Sequence, residues 1–340
     1  MTTRSYGAWL CLAALAGVIV LGTATGPVPI AFGKTARILL WAIGLPVDAG
    51  ASPEEAVIVL RLRLPRVLKA VLVGGGLAVC GVWMQAVFRN PLADPALLGV
   101  SAGGGLLAVL AIFLGLSFAG PWTTPIVAAL GGWGASILVL AVGHVRREEH
   151  LLVLLLAGLA VNSLAGALIS LILLHTSQVE GLRAILFWLA GNLEVRSWTE
   201  IYILAAFVLG GTAPTLLAGR AMNLLLLGED EARSLGLPVR RFRVALLGMN
   251  GLVTGAAVAF SGIIGFVGLM APHIVRRIVG PDHRRLLPAS FLVGAILLVL
   301  ADWISRTVVR PFDVRVGVIM ALLGAPAFLI LLLRHKEVRG

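Results

Sequence analysis

Few residues of this chain are spaced in a way that could carry out chemistry. The run Gly33-Lys34-Thr35 resembles the end of a phosphate-binding loop, but six residues separate Gly26 from Gly33, where that motif requires four. The HExxH motif does not occur in the sequence. The histidines lack metal-ligand spacing; they are His144, His150, His175, His273, His283 and His335. We therefore predict no catalytic residue, no metal site and no ATP hydrolysis by this chain.

One pair of charged residues lies within an apolar stretch. Asp302 is deep in it, and Arg306 follows four residues later, so the two share a helix face and can pair. A charge at the middle of a membrane helix costs about 2.5–3.5 kcal/mol, which gives such residues a reason to be paired or functional. Two interpretations stay open: a structural ion pair, or an outward-facing role for Arg306. Cys11 and Cys80 also lie in apolar stretches, where we expect free thiols that pack as small hydrophobic groups.

The elements that position these residues are apolar stretches long enough to cross a membrane. The chain is 59% hydrophobic and 13% charged, whereas soluble domains carry about 25% charged residues. About 20 helical residues span the ~30 Å hydrocarbon layer. We predict an all-α, polytopic membrane protein with about ten transmembrane helices. They are placed at about 8–25, 67–88, 96–118, 122–143, 151–174, 200–219, 244–261, 263–280, 288–308 and 317–333. Nine helices is the alternative, because 263–280 has a basic second half.

No window reads as a separate soluble domain, so residues 1–340 are predicted to form one transmembrane domain. With an even helix count, 16 of the 27 Lys and Arg residues share a side with both termini, and several flank helix ends closely. The positive-inside rule then places both termini in the cytoplasm. It also makes 220–243 a cytoplasmic loop and makes 26–66, 175–199 and 309–316 periplasmic. We attribute the net charge of +11 to topology and anionic lipid headgroups, and we expect no nucleic-acid partner.

Glycine is abundant within the predicted helices. The chain has 41 glycines, including Gly74-Gly75-Gly76, Gly103-Gly104-Gly105 and Gly131-Gly132. Small residues let membrane helices approach closely and gain dispersion contacts. Tight packing is therefore the favoured interpretation, and hinges or a broad conduit for a bulky solute are the alternative.

The loop 220–243 has the local signals of a short surface helix. Glu229, Asp230 and Glu231 form an acidic start, and acidic residues complement the dipole at a helix N-terminus. Gly236 and Pro238 form a stop signal a few residues later. On these grounds alone the helix could simply cap the bundle.

The same loop carries a recognisable motif. Its run from Glu229 to Gly236 looks like the Glu-x-x-Ala-x-x-Leu-Gly coupling-helix signature of permeases driven by separate ATPase subunits. Further motifs are similar to the ABC importer permease family for iron chelates, haem and cobalamin. They are Arg63-Leu64-Pro65-Arg66, Met84 to Pro95, Leu98-Gly99-Val100-Ser101, Gly265 to His273 and Leu323-Gly324-Ala325-Pro326. The motifs are ordered along residues 60 to 330.

The resemblance implies a type II ABC importer permease-like bundle in the bacterial inner membrane. Two permease copies would enclose the path, with two ATP-binding subunits in the cytoplasm and a periplasmic substrate-binding protein above. ATP and Mg would bind the ATPase, and this chain would bind no cofactor. The implied ATPase-coupling residues are Gly228, Glu229, Ala232, Leu235 and Gly236. The implied docking residues for the binding protein are Arg63, Arg66 and Arg306, and the implied cytoplasmic gate is Asn90 and Leu92. The charged loop 144–150 departs from the second constriction that the family leads us to expect.

The sequence says least about the substrate. Haem is favoured, because His175, Arg183 and Arg196 border the predicted mouth and could meet propionates or iron. A ferric siderophore or cobalamin is the alternative within the family. An intramembrane enzyme would need convergent catalytic residues, of which only Asp302 and Arg306 are candidates, and an ion channel would need a polar filter segment that we do not find.

Overall fold

The computed structural model describes residues 3–116, 120–145, 151–307 and 314–336, which form helices joined by turns. The α-helices are α1 (Thr3–Ala24), α2 (Phe32–Ala42), α3 (Pro53–Val57), α4 (Leu64–Val87), α5 (Val100–Phe113), α6 (Thr123–Val145), α7 (Leu151–His175), α8 (Val179–Leu189), α9 (Trp198–Leu217), α10 (Gly219–Leu225), α11 (Glu229–Ser234), α12 (Val239–Ser261), α13 (Val267–Val279), α14 (His283–Thr307) and α15 (Val316–Lys336). Each predicted span coincides with one main helix: α1, α4, α5, α6, α7, α9, α12, α13, α14 or α15. The predicted all-α fold is confirmed. In the described ranges, six helices are individually long and apolar enough to cross a membrane.

The segment 26–66, which was predicted to be periplasmic, contains several helical elements. It contains α2, α3 and a π-helical turn (Ile58–Arg63) that runs without a break into α4. A capping box starts α3, since Ser52 Oγ accepts from the Glu55 amide at 3.3 Å and the Glu55 carboxylate accepts from the Ser52 amide at 2.9 Å. The second span therefore begins near residue 53 and not at residue 67. The prediction counted only apolar residues, so it missed the polar first turns of this helix. Likewise, 175–199 contains α8 and 220–243 contains α10 as well as α11.

Two spans predicted as continuous helices begin with a break. The third starts as a 3-10 turn over Pro95–Leu98, and Gly99 then adopts a left-handed φ of 75° before α5. The Asp94 carboxylate caps this turn by accepting from the Ala96 amide at 2.9 Å. The eighth span is helical only from α13 onward, because Phe266 takes a left-handed φ of 67° that is incompatible with a continuous α-helix. Most of residues 309–316 and all of 146–150 lie outside the described residues.

Helix α4 is the centre of the bundle, and glycine lets its neighbours reach it. A methyl group on Gly74 would lie 2.3 Å from the carbonyl oxygen of Gly294 in α14, and one on Gly294 would lie 2.4 Å from the Gly74 oxygen. The fully buried Trp83 donates from its indole N–H to Thr215 Oγ1 of α9 at 3.2 Å. Tight packing is thus the main role of the glycines at these contacts, as predicted.

Replacing Gly81 by alanine is expected to destabilise the protein by about 1–3 kcal/mol, the cost of overpacking a close-packed interior. The added methyl would lie 1.8 Å from the backbone oxygen of Gly268, which can retreat only if α13 moves. Thermal unfolding of the purified protein in detergent measures the effect. Gly134→Ala is the control, since that position in α6 has no atom within 4 Å of the new methyl. Equal melting temperatures for the two variants would contradict the prediction.

Candidate functional site

The coupling segment, defined here as α10 and α11 (residues 219–234), lies between α9 and α12. Helix α11 ends because Gly236 takes a φ of 86°. The Gly236 amide donates to the Arg233 carbonyl at 2.9 Å, and the Leu237 amide donates to the Ala232 carbonyl at 3.0 Å. This pair of bonds is a Schellman motif, which stops a helix at a left-handed glycine. The predicted short helix at the motif is therefore present, and Gly236 has a backbone reason to be glycine.

One face of α11 is fastened to the bundle, and the other is exposed. Glu229 binds Arg243 of α12, with Oε1 and Nη1 2.5 Å apart, and also lies 3.4 Å from Arg233. Ala232 is fully buried against the bundle. Leu235, at the end of the helix, is 60% exposed. Gly228 precedes the helix with a φ of 126°, and a methyl there would meet the Glu231 carboxylate. The exposed Leu235 side chain therefore lies at the end of a helix that Glu229 and Ala232 anchor to the bundle.

Arg63 is buried at the opposite end of the bundle. Its guanidinium donates to the carbonyls of Thr23, at 3.1 Å, and Ala24, at 2.8 Å, and it also contacts the Val28 carbonyl. The residue is only 7% exposed. The side chain thus ties the end of α1 to the start of α4. Sequence reasoning expected an outer-face arginine, and this internal role was not predicted.

Asp302 is the hub of the neighbouring ion-pair cluster. Its carboxylate is fully buried and binds Arg66 Nε at 2.9 Å and Arg306 Nη2 at 2.9 Å. Arg306 also donates to the carbonyl of Gly22 at 3.1 Å. The predicted i,i+4 pair of Asp302 and Arg306 is confirmed, and its extension to Arg66 joins α14 to α4. Two guanidinium groups, those of Arg66 and Arg306, thus bind one carboxylate.

A second buried ion pair was missed by the sequence reasoning. Lys69, in the second span, donates to the Glu194 carbonyl at 2.7 Å and lies 3.6 Å from the Glu200 carboxylate. A lysine within an apolar span was the available signal. These residues line a cavity of about 460 Å³ together with Arg196 and the aromatic side chains of Phe187, Trp188 and Phe260.

The three residues predicted for the substrate mouth are not brought together in that cavity. Arg196 lines it and donates to the Pro121 carbonyl at 3.0 Å. Arg183 is exposed on α8, and His175 is exposed at the end of α7, where Nδ1 lies 2.9 Å from the Leu171 carbonyl oxygen. Neither of these two residues is among the groups lining the cavity.

The two predicted gate residues lie in one turn directly after α4. The Leu92 amide donates to Asn90 Oδ1 at 2.9 Å, which fixes the turn, and the Leu92 side chain is partly exposed. Just before the turn, the buried Gln85 accepts from Arg276 of α13 at 2.7 Å. The end of α4 is thus held to α13 while the turn itself projects from the bundle.

None of these groups makes a metal centre. Across residues 3–116, 120–145, 151–307 and 314–336, no group of three or more His, Cys, Asp or Glu residues could hold a metal ion. The described charged clusters are ion pairs that join helices. One end of the bundle carries the cluster of Arg63, Arg66, Arg306 and Asp302, and the other carries the anchored surface helix α11.

Comparison with known proteins agrees with this arrangement. The FecCD transport family model matches residues 13–334. The chain is 44% identical over 283 residues to the hemin transport system permease protein HmuU of Yersinia pestis, covering 83% of this chain and 84% of that protein. It is 38% identical over 302 residues to the cobalamin import system permease protein BtuC of Halobacterium salinarum, covering 88% and 79%. It is 39% identical over 328 residues to the uncharacterized ABC transporter permease YvrB of Bacillus subtilis, covering 95% and 92%.

A solved structure extends the likeness to the whole fold. An inward-facing conformation of a metal-chelate type ABC transporter superposes with a TM-score of 0.83 at 32% identity, covering 96% of this chain and 98% of that one. The family's members are permeases of ABC importers, whose ATPase is a separate subunit. The expectation of a multi-pass transport permease is therefore confirmed, and the chain belongs to the FecCD transport family.

Proposed function

We propose that this chain, residues 1–340, is one transmembrane permease domain of an importer that carries haem across the bacterial inner membrane into the cytoplasm. The observation that carries the import mechanism is α11, a helix anchored by Glu229 and Arg243 that exposes Leu235. An exposed apolar side chain on a rigid support is the kind of group that inserts into a partner's cleft. The partner is an ATP-binding subunit, and its ATP and Mg supply the energy. Gly228, Glu229, Ala232, Leu235 and Gly236 form the contact.

The complex is a dimer of permeases with two ATP-binding subunits. The exposure of helix α7 supports this assembly, because only 11% of its most apolar 18-residue stretch is buried within the chain. Leu152, Leu156, Leu159 and Leu164 on that helix are more than half exposed. A second copy can cover such a surface and enclose a path between the two chains. Both termini and the coupling segment lie in the cytoplasm, as the arginine distribution favours.

A periplasmic binding protein docks at the arginine cluster of Arg63, Arg66 and Arg306. Three guanidinium groups against the single carboxylate of Asp302 leave this end with excess positive charge. Such a field steers an acidic partner and fixes its orientation more than it adds affinity. Arg63 contributes mainly through this field and through its hold on α1, since its guanidinium is almost fully covered.

Transport follows alternating access. ATP binding closes the ATPase, α11 moves with it, and the turn containing Asn90 and Leu92 opens or closes the inner end of the path. Haem is the proposed solute because of the 44% identity to the hemin permease. Arg196 in the cavity and Arg183 outside it can each meet a propionate, and His175, also outside the cavity, can meet iron.

We expect haem-loaded binding protein to stimulate ATP hydrolysis and uptake by the reconstituted complex. Ferric siderophore and cobalamin, presented by the same binding protein, should give several-fold less stimulation. The measurement compares the three ligands in proteoliposomes that contain the permease with its cognate ATPase. Equal stimulation by a siderophore or cobalamin would overturn the haem assignment. Uptake of solute by the permease without the ATPase would overturn the importer mechanism.

A further inference from the structure

We propose that Asn223 is a positioning residue for transport. Its side chain fastens the coupling segment to the start of α14, so that a movement of α11 is passed to α14 and through it to α4. This inference rests on the proposed function, since it concerns how the ATPase drives the bundle. It assigns a role to a residue outside the coupling-helix motif.

The amide nitrogen and the amide oxygen of Asn223 both bind residues where α14 begins, Asp282 and His283. Nδ2 donates to Asp282 Oδ1 at 2.8 Å. Oδ1 accepts from the backbone N–H of His283 at 2.9 Å, and His283 Nδ1 lies 2.8 Å from the same oxygen. His283 is buried, with 2% of its surface exposed. These part-buried hydrogen bonds, two of them to the buried His283, fasten the coupling segment to the start of α14.

Backbone packing closes the same joint. A methyl group on Gly219, the first residue of α10, would lie 2.9 Å from both Cα and N of Arg284. Met222 and Leu225 of α10 are buried, as are Leu286 and Leu287 of α14. The guanidinium of Arg284 and the amide of Asn223 hold the pKa of Asp282 well below its usual range, so this carboxylate is ionised at neutral pH. The joint therefore combines hydrogen bonds, packing and a fixed charge.

From this joint the contacts continue across the bundle without a gap. Helix α14 has 25 residues, and at 1.5 Å per residue it is about 37 Å long, enough to reach the arginine cluster. Midway, Gly294 and Gly74 bring α14 and α4 into backbone contact. At the far end, Asp302 binds Arg66 of α4. Helix α4 leads directly into the turn of Asn90 and Leu92. We therefore expect α14 and α4, joined at these points, to move together.

The test replaces the amide group of Asn223 by a charged carboxylate. Asn223→Asp places a carboxylate at hydrogen-bond distance from Asp282, where like charges repel and open the joint. In proteoliposomes with the cognate ATPase and haem-loaded binding protein, we expect uptake per ATP hydrolysed to fall about tenfold, within the usual range of coupling between sites. Basal ATP hydrolysis and assembly of the complex should stay close to wild type. Asp282→Asn alone is the matched control, since its amide oxygen still accepts the Asn223 N–H.

The double variant Asn223→Asp, Asp282→Asn is the decisive measurement. It restores one donor and one acceptor in exchanged positions, so uptake per ATP should recover to near the Asp282→Asn value. Wild-type coupling in Asn223→Asp would overturn the proposal. So would a double variant that stays uncoupled, or a variant whose ATP hydrolysis falls in step with uptake, since either result means general damage. Failure of the wild-type complex to import haem would instead contradict the proposed function.

Discussion

Asp302→Ala is expected to lower the free energy of unfolding by about 3–5 kcal/mol, the cost of breaking a buried ion pair by removing one partner. The substitution removes a fully buried carboxylate that both Arg66 and Arg306 bind. Guanidinium groups cannot lose their charge near neutral pH, so the cost cannot be avoided by deprotonation. Thermal unfolding of the purified permease in detergent should show a large decrease in melting temperature.

Glu194→Ala is the control for this experiment. Glu194 lies 3.5 Å from Arg315, and its side chain is largely exposed, so the loss should stay below about 1 kcal/mol. The comparison separates a buried hub from a surface pair of the same chemistry. If Asp302→Ala unfolds at the same temperature as Glu194→Ala, the arginine cluster does not hold α1, α4 and α14 together.

The helices could be predicted from the sequence where they consist of a long run of apolar residues that lie in lipid. A run of apolar residues has to satisfy its backbone internally, so helix position follows from composition alone. The start of α3 at Pro53 does not follow this rule and was missed, because it depends on the polar capping box of Ser52 and Glu55. The break at Phe266 was missed because no propensity marks phenylalanine for a left-handed φ.

The sites divide along a similar line. The coupling helix could be predicted because its acidic start and its Gly236 stop are local signals. Arg63 was predicted as an outer-face residue, but its contacts with the Thr23 and Ala24 carbonyls depend on a helix 40 residues earlier in the chain. Asn223 was not singled out at all, since its partners Asp282 and His283 are about 60 residues away. Hydrogen bonds between residues far apart in the chain produce no local spacing pattern, so they cannot be predicted from a single sequence.

Leu235→Asp is expected to uncouple the permease from its ATPase. Leu235 is 60% exposed although the Schellman motif beside it fixes its direction, so its apolar surface is available to a partner. Truncation of a central apolar anchor costs about 2 kcal/mol or more, which corresponds to about thirtyfold weaker binding. A carboxylate should cost more, because it would be desolvated in the cleft without a counter-ion. Binding of the purified ATPase to the permease in nanodiscs measures the loss, and ATP-driven uptake should fall with it.

Leu235→Met is the matched control, because methionine keeps the apolar contact at a similar volume and should bind the ATPase nearly as well as wild type. Both variants should unfold at the wild-type temperature, since the side chain packs mainly outside the bundle. Unchanged ATPase affinity in Leu235→Asp would remove α11 as the point of contact. Loss in both variants would mean that the contact requires the branched shape of leucine and not only an apolar side chain.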